Sequence, residues 1–201
     1  MDAARVRQGR RRARAVHGRG GHAGLPHTAV DTIAAAAEVV GSLQHIVSRR
    51  IDPLHPAVVT VGSLHAGDAP NVIPGEAVLT GTTRSFDPEV RGRIPMLIEE
   101  IARGVCAAHG ANFELDFQFG YKPVVNDPEA TALVQEAIGE RLTDLEPIMG
   151  GDDFSAYLEH APGCYAFIGA GGEYPHHHPR FRIDERALAI GTRLHVEVAR
   201  R

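Results

Sequence analysis

Only two cysteines occur in the 201 residues, Cys106 and Cys164, and they lie far apart. That excludes a disulfide framework and fits a reducing cytoplasm. No apolar run approaches the ~20 residues that a membrane-spanning helix needs, so no membrane partner is expected. The N-terminal charges have no apolar stretch behind them, so no secretory leader is expected. Neither an internal repeat nor a long low-complexity tract occurs. Charge is short of either extreme: the net value is −4, which does not suit a polyanion binder. Lysine is almost missing, with Lys122 alone. What is present is a 43% hydrophobic composition, enough for the core of one large or two small domains.

Residues 4–14 carry a run of arginines with little to bury. Such a block reads as a solvated, disordered basic tail over 1–14. Contact with nucleic acid, or a start that is not natural upstream sequence, are the alternatives. A helix is predicted after Pro26, with Thr28 and Asp31 as a capping box. Its buried stripe is Ile33, Ala37, Val40, Leu43 and Val47. Pro53 and Pro56 close it. Residues 57–64 are β-branched and read as a strand, and 76–86 as its antiparallel neighbour. Asp87-Pro88 opens a second helix with its stripe on Val90, Ile94, Leu97, Ile98, Ile101, Val105 and Ala108. Gly110 is its C-terminal stop, and Pro95 predicts either a kink or a later start. Cys106 reads as an exposed or core thiol. Residues 113–119 alternate apolar and polar, as a half-buried strand does.

With a short first strand near Val16, the order is βαββαβ, the ferredoxin-like order. The expectation for 15–121 is thus α+β, a four-stranded antiparallel sheet with two helices on one face. After Tyr121-Lys122-Pro123 the character changes. A helix from Asp127 to about Arg141, a strand at 145–149, a short helix at 154–160, a strand at 164–169 and a helix at 184–199 are predicted. Strand and helix alternate as in an α/β layer, but two strands cannot close one. Residues 122–201 therefore read as the edge of a larger domain.

Chemistry concentrates in His17-Gly18-Arg19-Gly20-Gly21-His22-Ala23-Gly24-Leu25-Pro26-His27. Glycines permit unusual backbone shapes and close approaches, and Pro26 stiffens the exit, so His22 can be presented rigidly. The bland alternative is a glycine-rich turn. His176, His177 and His178 form a second focus, because imidazole is the commonest metal ligand; a polar surface loop would look the same. Asp152 and Asp153 follow the double glycine Gly150-Gly151. Arg84, at a strand end, can grip a carboxylate with two prongs, and Asn71 offers donor and acceptor. Solvated charge and turn chemistry are the plain readings of those two.

Taken in order, the segments Gly18-Arg19-Gly20-Gly21-His22, Asn71-Val72-Ile73-Pro74, Gly81-Thr82-Thr83-Arg84, Met149-Gly150-Gly151-Asp152-Asp153-Phe154 and His177-His178-Pro179 resemble metal-dependent amidohydrolases of the aminoacylase and carboxypeptidase type. The likeness is closest to the hippurate hydrolases and auxin-conjugate (N-acyl-amino-acid) hydrolases, and it runs from about residue 16 to the C-terminus. The resemblance implies a catalytic α/β domain holding a divalent metal pair (zinc, manganese, cobalt or nickel) and an inserted ferredoxin-like lid that makes a homodimer. It implies that His22 holds the substrate carbonyl oxygen as charge builds. It implies that Asn71 and Arg84 bind the substrate carboxylate, that Gly150 and Gly151 line the substrate pocket, and that His177 is a metal ligand. His176 and His178 are not expected to be ligands. The family more often has Glu at the position of Asp152.

The family's Cys-Gly-His-Asp motif, its Glu-Glu pair and a further histidine have no counterpart here. The chain therefore reads as the lid plus the C-terminal segment of the catalytic domain, a fragment expected to hydrolyse nothing alone. Non-catalytic dimerisation or binding is the alternative. A ferredoxin-like RNA binder would need aromatics on its central strands, and those strands offer only Phe86.

Overall fold

The computed structural model describes residues 2–3, 14–139 and 145–201. One unit comprises Met1–Pro123 with Met149–Gly151. Its order is β1 (Asp2–Ala3), β2 (Arg14–His17), β3 (Gly21–His22), α1 (Thr32–His45), β4 (Ala57–His65), β5 (Val72–Ile73), β6 (Glu76–Ser85), α2 (Pro88–Ala108) and β7 (Asn112–Glu114). The other unit, Val124–Ile148 with Asp152–Arg201, holds α3 (Pro128–Ile138), α4 (Phe154–Leu158) and α5 (Arg186–Ala199). Arg14 belongs to β2 and Asp2–Ala3 to β1; the remainder of the expected basic tail lies outside the described residues.

β6 organises the sheet. Its alternate residues Ala77, Leu79, Gly81, Thr83 and Ser85 are buried, as a period of two requires of a strand with one covered face. It pairs antiparallel with β4 from Ala57↔Ser85 to His65↔Val78 and with β2 from Arg14↔Leu79 to His17↔Glu76. β2 pairs in turn with β7, and β1 adds Asp2 and Ala3 opposite Thr83 and Thr82. The lateral order is therefore β4-β6-β2-β7, antiparallel throughout. The β4 register slips between Val61 and Ser63, and the Ser63 and Thr80 hydroxyls bond across the break at 2.6 Å.

α1 and α2 share one core with Val16, Val59, Ala77, Leu79 and Phe113. α2 forms as its sequence predicts. The Asp87 carboxylate accepts from the Glu89 and Val90 N–H groups, and Pro88 occupies the first turn. Pro95 sits inside a helix that runs unbroken to Ala108. Gly110 ends it at φ 70°, a left-handed stop open to glycine. Cys106 is a core thiol, and burial pushes it up from its ordinary pKa. Those N–H bonds, aided by His55 at 2.6 Å, hold Asp87 below the usual carboxylate range. A carboxyl more acidic when folded stabilises fully above its unfolded value, near 3.9, and loses that contribution as pH falls through its folded value. Asp87→Asn, which keeps the cap but cannot titrate, should therefore flatten the acid limb of stability below about pH 4 in urea midpoints taken against pH.

α1 departs from expectation. Asp31, not Thr28, is the cap; it accepts from the Ile33 and Ala34 N–H groups. Thr28 ends a short 3₁₀ turn, Pro26–Thr28. The buried face is Thr32, Ala35, Ala36, Val39 and Leu43, continued by Ile46 in a π turn, Ile46–Arg50. Ile33 is 43% exposed and Val47 37%. Four successive alanines, Ala34–Ala37, carry no sidedness, so packing sets the phase.

In the Val124–Ile148, Asp152–Arg201 unit neither predicted strand, 145–149 or 164–169, forms among the described residues. A strand needs a neighbour to hold its backbone groups. Asn126 supplies a fragment of that role: its side chain accepts from Tyr165 N at 2.8 Å and donates to Tyr165 O at 3.0 Å. β7 likewise ends at Glu114 rather than 119. The helix predicted to reach Arg141 ends at Ile138, and residues 140–144 lie outside the described residues.

Candidate functional site

The glycine loop is built by close approach, not by left-handed backbone. Gly18 donates to Gly75 O at 3.0 Å. A Cβ on Gly18 would lie 2.5 Å from Val30 O, one on Gly21 2.9 Å from Ala29 Cβ, and one on Gly20 3.0 Å from Ile73 O. None of the three has positive φ. Between them Arg19 exchanges backbone bonds with Val30, and its Nε donates to Thr28 O. The buried Thr32 hydroxyl donates to Pro74 O, tying the start of α1 to the turn before β6.

This packing sets β3 against β5, with His22 opposite Val72. Ala23 then donates to Asn71 O at 3.0 Å, so His22 and Asn71 adjoin. The His22 side chain is exposed, and its Nδ1 accepts from Gly24 N at 2.9 Å. A shallow open hollow of about 440 Å³ lies between the end of β4 and the start of β6, lined by His65, Asp68 and Glu76 among others.

Arg84 is at the other end of β6, on the face away from the helices, about 26 Å along the strand from Glu76. Its Nη1 donates to Thr83 O at 2.8 Å. Asn71, by contrast, directly precedes β5, two residues and a turn before β6 begins.

Gly150 and Gly151 are exposed and precede a braced acid. Asp152 accepts from Phe154 N at 2.8 Å and from the Tyr165 hydroxyl at 3.0 Å, which pushes the phenol up from its ordinary pKa. Tyr165 carries both this bond and the Asn126 bracket. A lone tyrosine in an apolar run gave no signal of either.

The histidine triplet is differentiated by its neighbours. His176 meets Phe181 edge-on at 4.9 Å, and His178 stacks on Tyr174 at 4.4 Å while accepting from Arg180 N. His177 has no side-chain partner among the described residues and is the only non-glycine residue there with positive φ, 67°. Such a backbone persists only when its surroundings impose it.

The pattern of peptidase family M20/M25/M40 matches residues 4–201. The chain belongs to that family. An N-acetyl-L-cysteine deacetylase of Bacillus subtilis is 38% identical over 189 residues, 92% of this chain and 45% of the relative. Thermostable carboxypeptidase 2 of Saccharolobus solfataricus is 35% identical over 192 residues, 92% and 49%. A solved dinuclear metal-binding peptidase of the M20 family from Bacillus subtilis superposes with a TM-score of 0.70 at 32% identity, over 92% of this chain and 47% of that one. The chain thus spans about half the length of the M20 relatives it matches. The motif resemblance and the family match agree.

Among the described residues no three His, Cys, Asp or Glu side chains converge as a metal site. The donors among the described residues therefore do not by themselves make a dinuclear centre. No helix among them is long and apolar enough to cross a membrane.

Proposed function

We propose that this chain comprises the ferredoxin-like lid and the last catalytic-domain segment of an M20 amidohydrolase that cleaves N-acyl amino acids of the hippurate type. The observation carrying this reading is the close-packed glycine loop that sets His22 in the β3–β5 ladder, with Ala23 N bonded to Asn71 O beside it. His22 would donate to the carbonyl oxygen as negative charge develops there. His177, free of ring contacts and held in a constrained backbone, would be one metal ligand. Gly150 and Gly151 would line the pocket. The metal pair would be zinc, manganese, cobalt or nickel, with its remaining ligands and general base supplied outside this chain.

Asn71 and Arg84 can serve one carboxylate if they come from two copies. Among the described residues β4 has β6 alone as a neighbour and forms the sheet edge. Two-fold antiparallel pairing of β4 edges sets the Arg84 end of one β6 beside the Glu76 end of the other, three strand spacings or ~14 Å across. Side chains and substrate can span that gap, whereas ~26 Å along one strand they cannot. A homodimer through the lid follows, and the chain's alternative role as a non-catalytic dimerisation module would use the same edge.

The isolated chain should hydrolyse neither N-benzoyl nor N-acetyl amino acids with added zinc or manganese. Turnover that vanishes in His177→Ala would overturn this. Light scattering should give twice the monomer mass; a monomer would remove the two-copy carboxylate site.

A further inference from the structure

One contact in the glycine loop goes beyond the lid-histidine reading and deepens it. Gly24 N donates to His22 Nδ1 at 2.9 Å. An N–H can donate only to a ring nitrogen that offers its lone pair, so Nδ1 is the unprotonated one. In a neutral imidazole the proton then resides on Nε2. We propose that Gly24 is a positioning residue whose backbone N–H fixes His22 as the Nε2–H tautomer and turns that N–H outward as a donor. The proposal rests on the reading of His22 as the histidine that meets substrate, and adds which nitrogen acts and what holds it.

The donor is itself held from both sides. Ala23 N bonds Asn71 O at 3.0 Å, and Leu25 N bonds His22 O at 2.8 Å. Leu25 O accepts from both the Thr28 N–H and the Thr28 hydroxyl. His22 sits in the β3–β5 ladder. Ring and backbone are in close contact: a Cβ on Gly24 would be 3.1 Å from Nδ1 and 3.2 Å from Cε1. The opposite tautomer would set two N–H groups against each other across this gap. It would also leave Nε2 a bare acceptor, unable to stabilise an oxygen gaining negative charge. In the neutral ring the tautomer therefore decides whether Nε2 can act as a donor.

The test uses the 201-residue chain labelled with ¹⁵N, in long-range ¹H–¹⁵N spectra at about pH 9, where imidazoles are neutral. His22 is assigned by its loss in His22→Ala. Its Nε2–H tautomer should exceed that of His45, exposed on α1 and without a side-chain partner among the described residues, by about fivefold. A scalar coupling across the hydrogen bond should join Gly24 N to His22 Nδ1. Gly24→Pro, which removes the N–H, should lose both signals, with the α1 and β6 amides as the control for folding. A His22 ratio equal to that of His45, or no coupling in the unaltered chain, overturns the proposal, and neither readout depends on Gly24→Pro folding. Turnover is measured separately after supplying the N-terminal half of an M20 relative. Full activity of His22→Ala there would overturn the reading of His22 while leaving the tautomer result standing.

Discussion

Ile46→Ala should cost the sheet-bearing unit about 3 kcal/mol of unfolding free energy, while Ile33→Ala costs well under 1. The two isoleucines flank the same helix. Ile46 is fully buried in the core cluster with Leu43, Val39 and Leu79, and Ile33 is 43% exposed. Truncating Ile46 forfeits its transfer from water and leaves a cavity that rigid neighbours fill only in part. Truncating Ile33 leaves a surface that water already reaches. Urea unfolding followed by circular dichroism reads both. Equal losses would mean that α1 is rotated onto the stripe Ile33, Val40 and Val47.

A still larger contrast is expected between the two units in amide hydrogen exchange. Among the described residues the buried apolar side chains gather in the sheet-bearing unit, and Ala187 is the one such residue in the Val124–Ile148, Asp152–Arg201 unit. There, Tyr157 is 68% exposed, Leu188 59% and Phe167 56%. Local stability follows buried apolar contact, so helices α3 and α5 should exchange on the order of a hundredfold faster than α2 and β6. The ion pair of Arg201 with Glu136, at 2.8 Å, is exposed and of little worth. Equal protection across the chain would refute this. Addition of the N-terminal half of an M20 relative should slow exchange in α3 and α5 selectively, because their apolar faces would then be covered.

What could be read beforehand follows the same division. α2 was legible because Asp87-Pro88 and Gly110 are local signals whose chemistry acts within one turn. β4 and β6 were legible because β-branched residues alternate beside a short connection. The phase of α1 was not, since Ala34–Ala37 fit any face and only the sheet beneath chooses. The strands at 145–149 and 164–169 were expected from apolar runs, but a run becomes a strand only beside a partner. For the site, the glycine run drew attention to His22 and the resemblance to Asn71; the structure adds that Gly18, Gly20 and Gly21 have neighbours a side chain would crowd. Arg84 was placed at a strand end by sequence, as it is in β6. Gly24 was visible only as one more glycine; its role lies in an N–H that any residue but proline possesses.

The backbone of His177 carries a final consequence. At φ 67° every residue with a side chain is compromised, and glycine alone would rest there comfortably. His177→Gly should therefore make this loop harder to melt while stripping it of its imidazole. On the proposed reading of His177 as a metal ligand, loop durability and metal binding should therefore move in opposite directions on this one replacement.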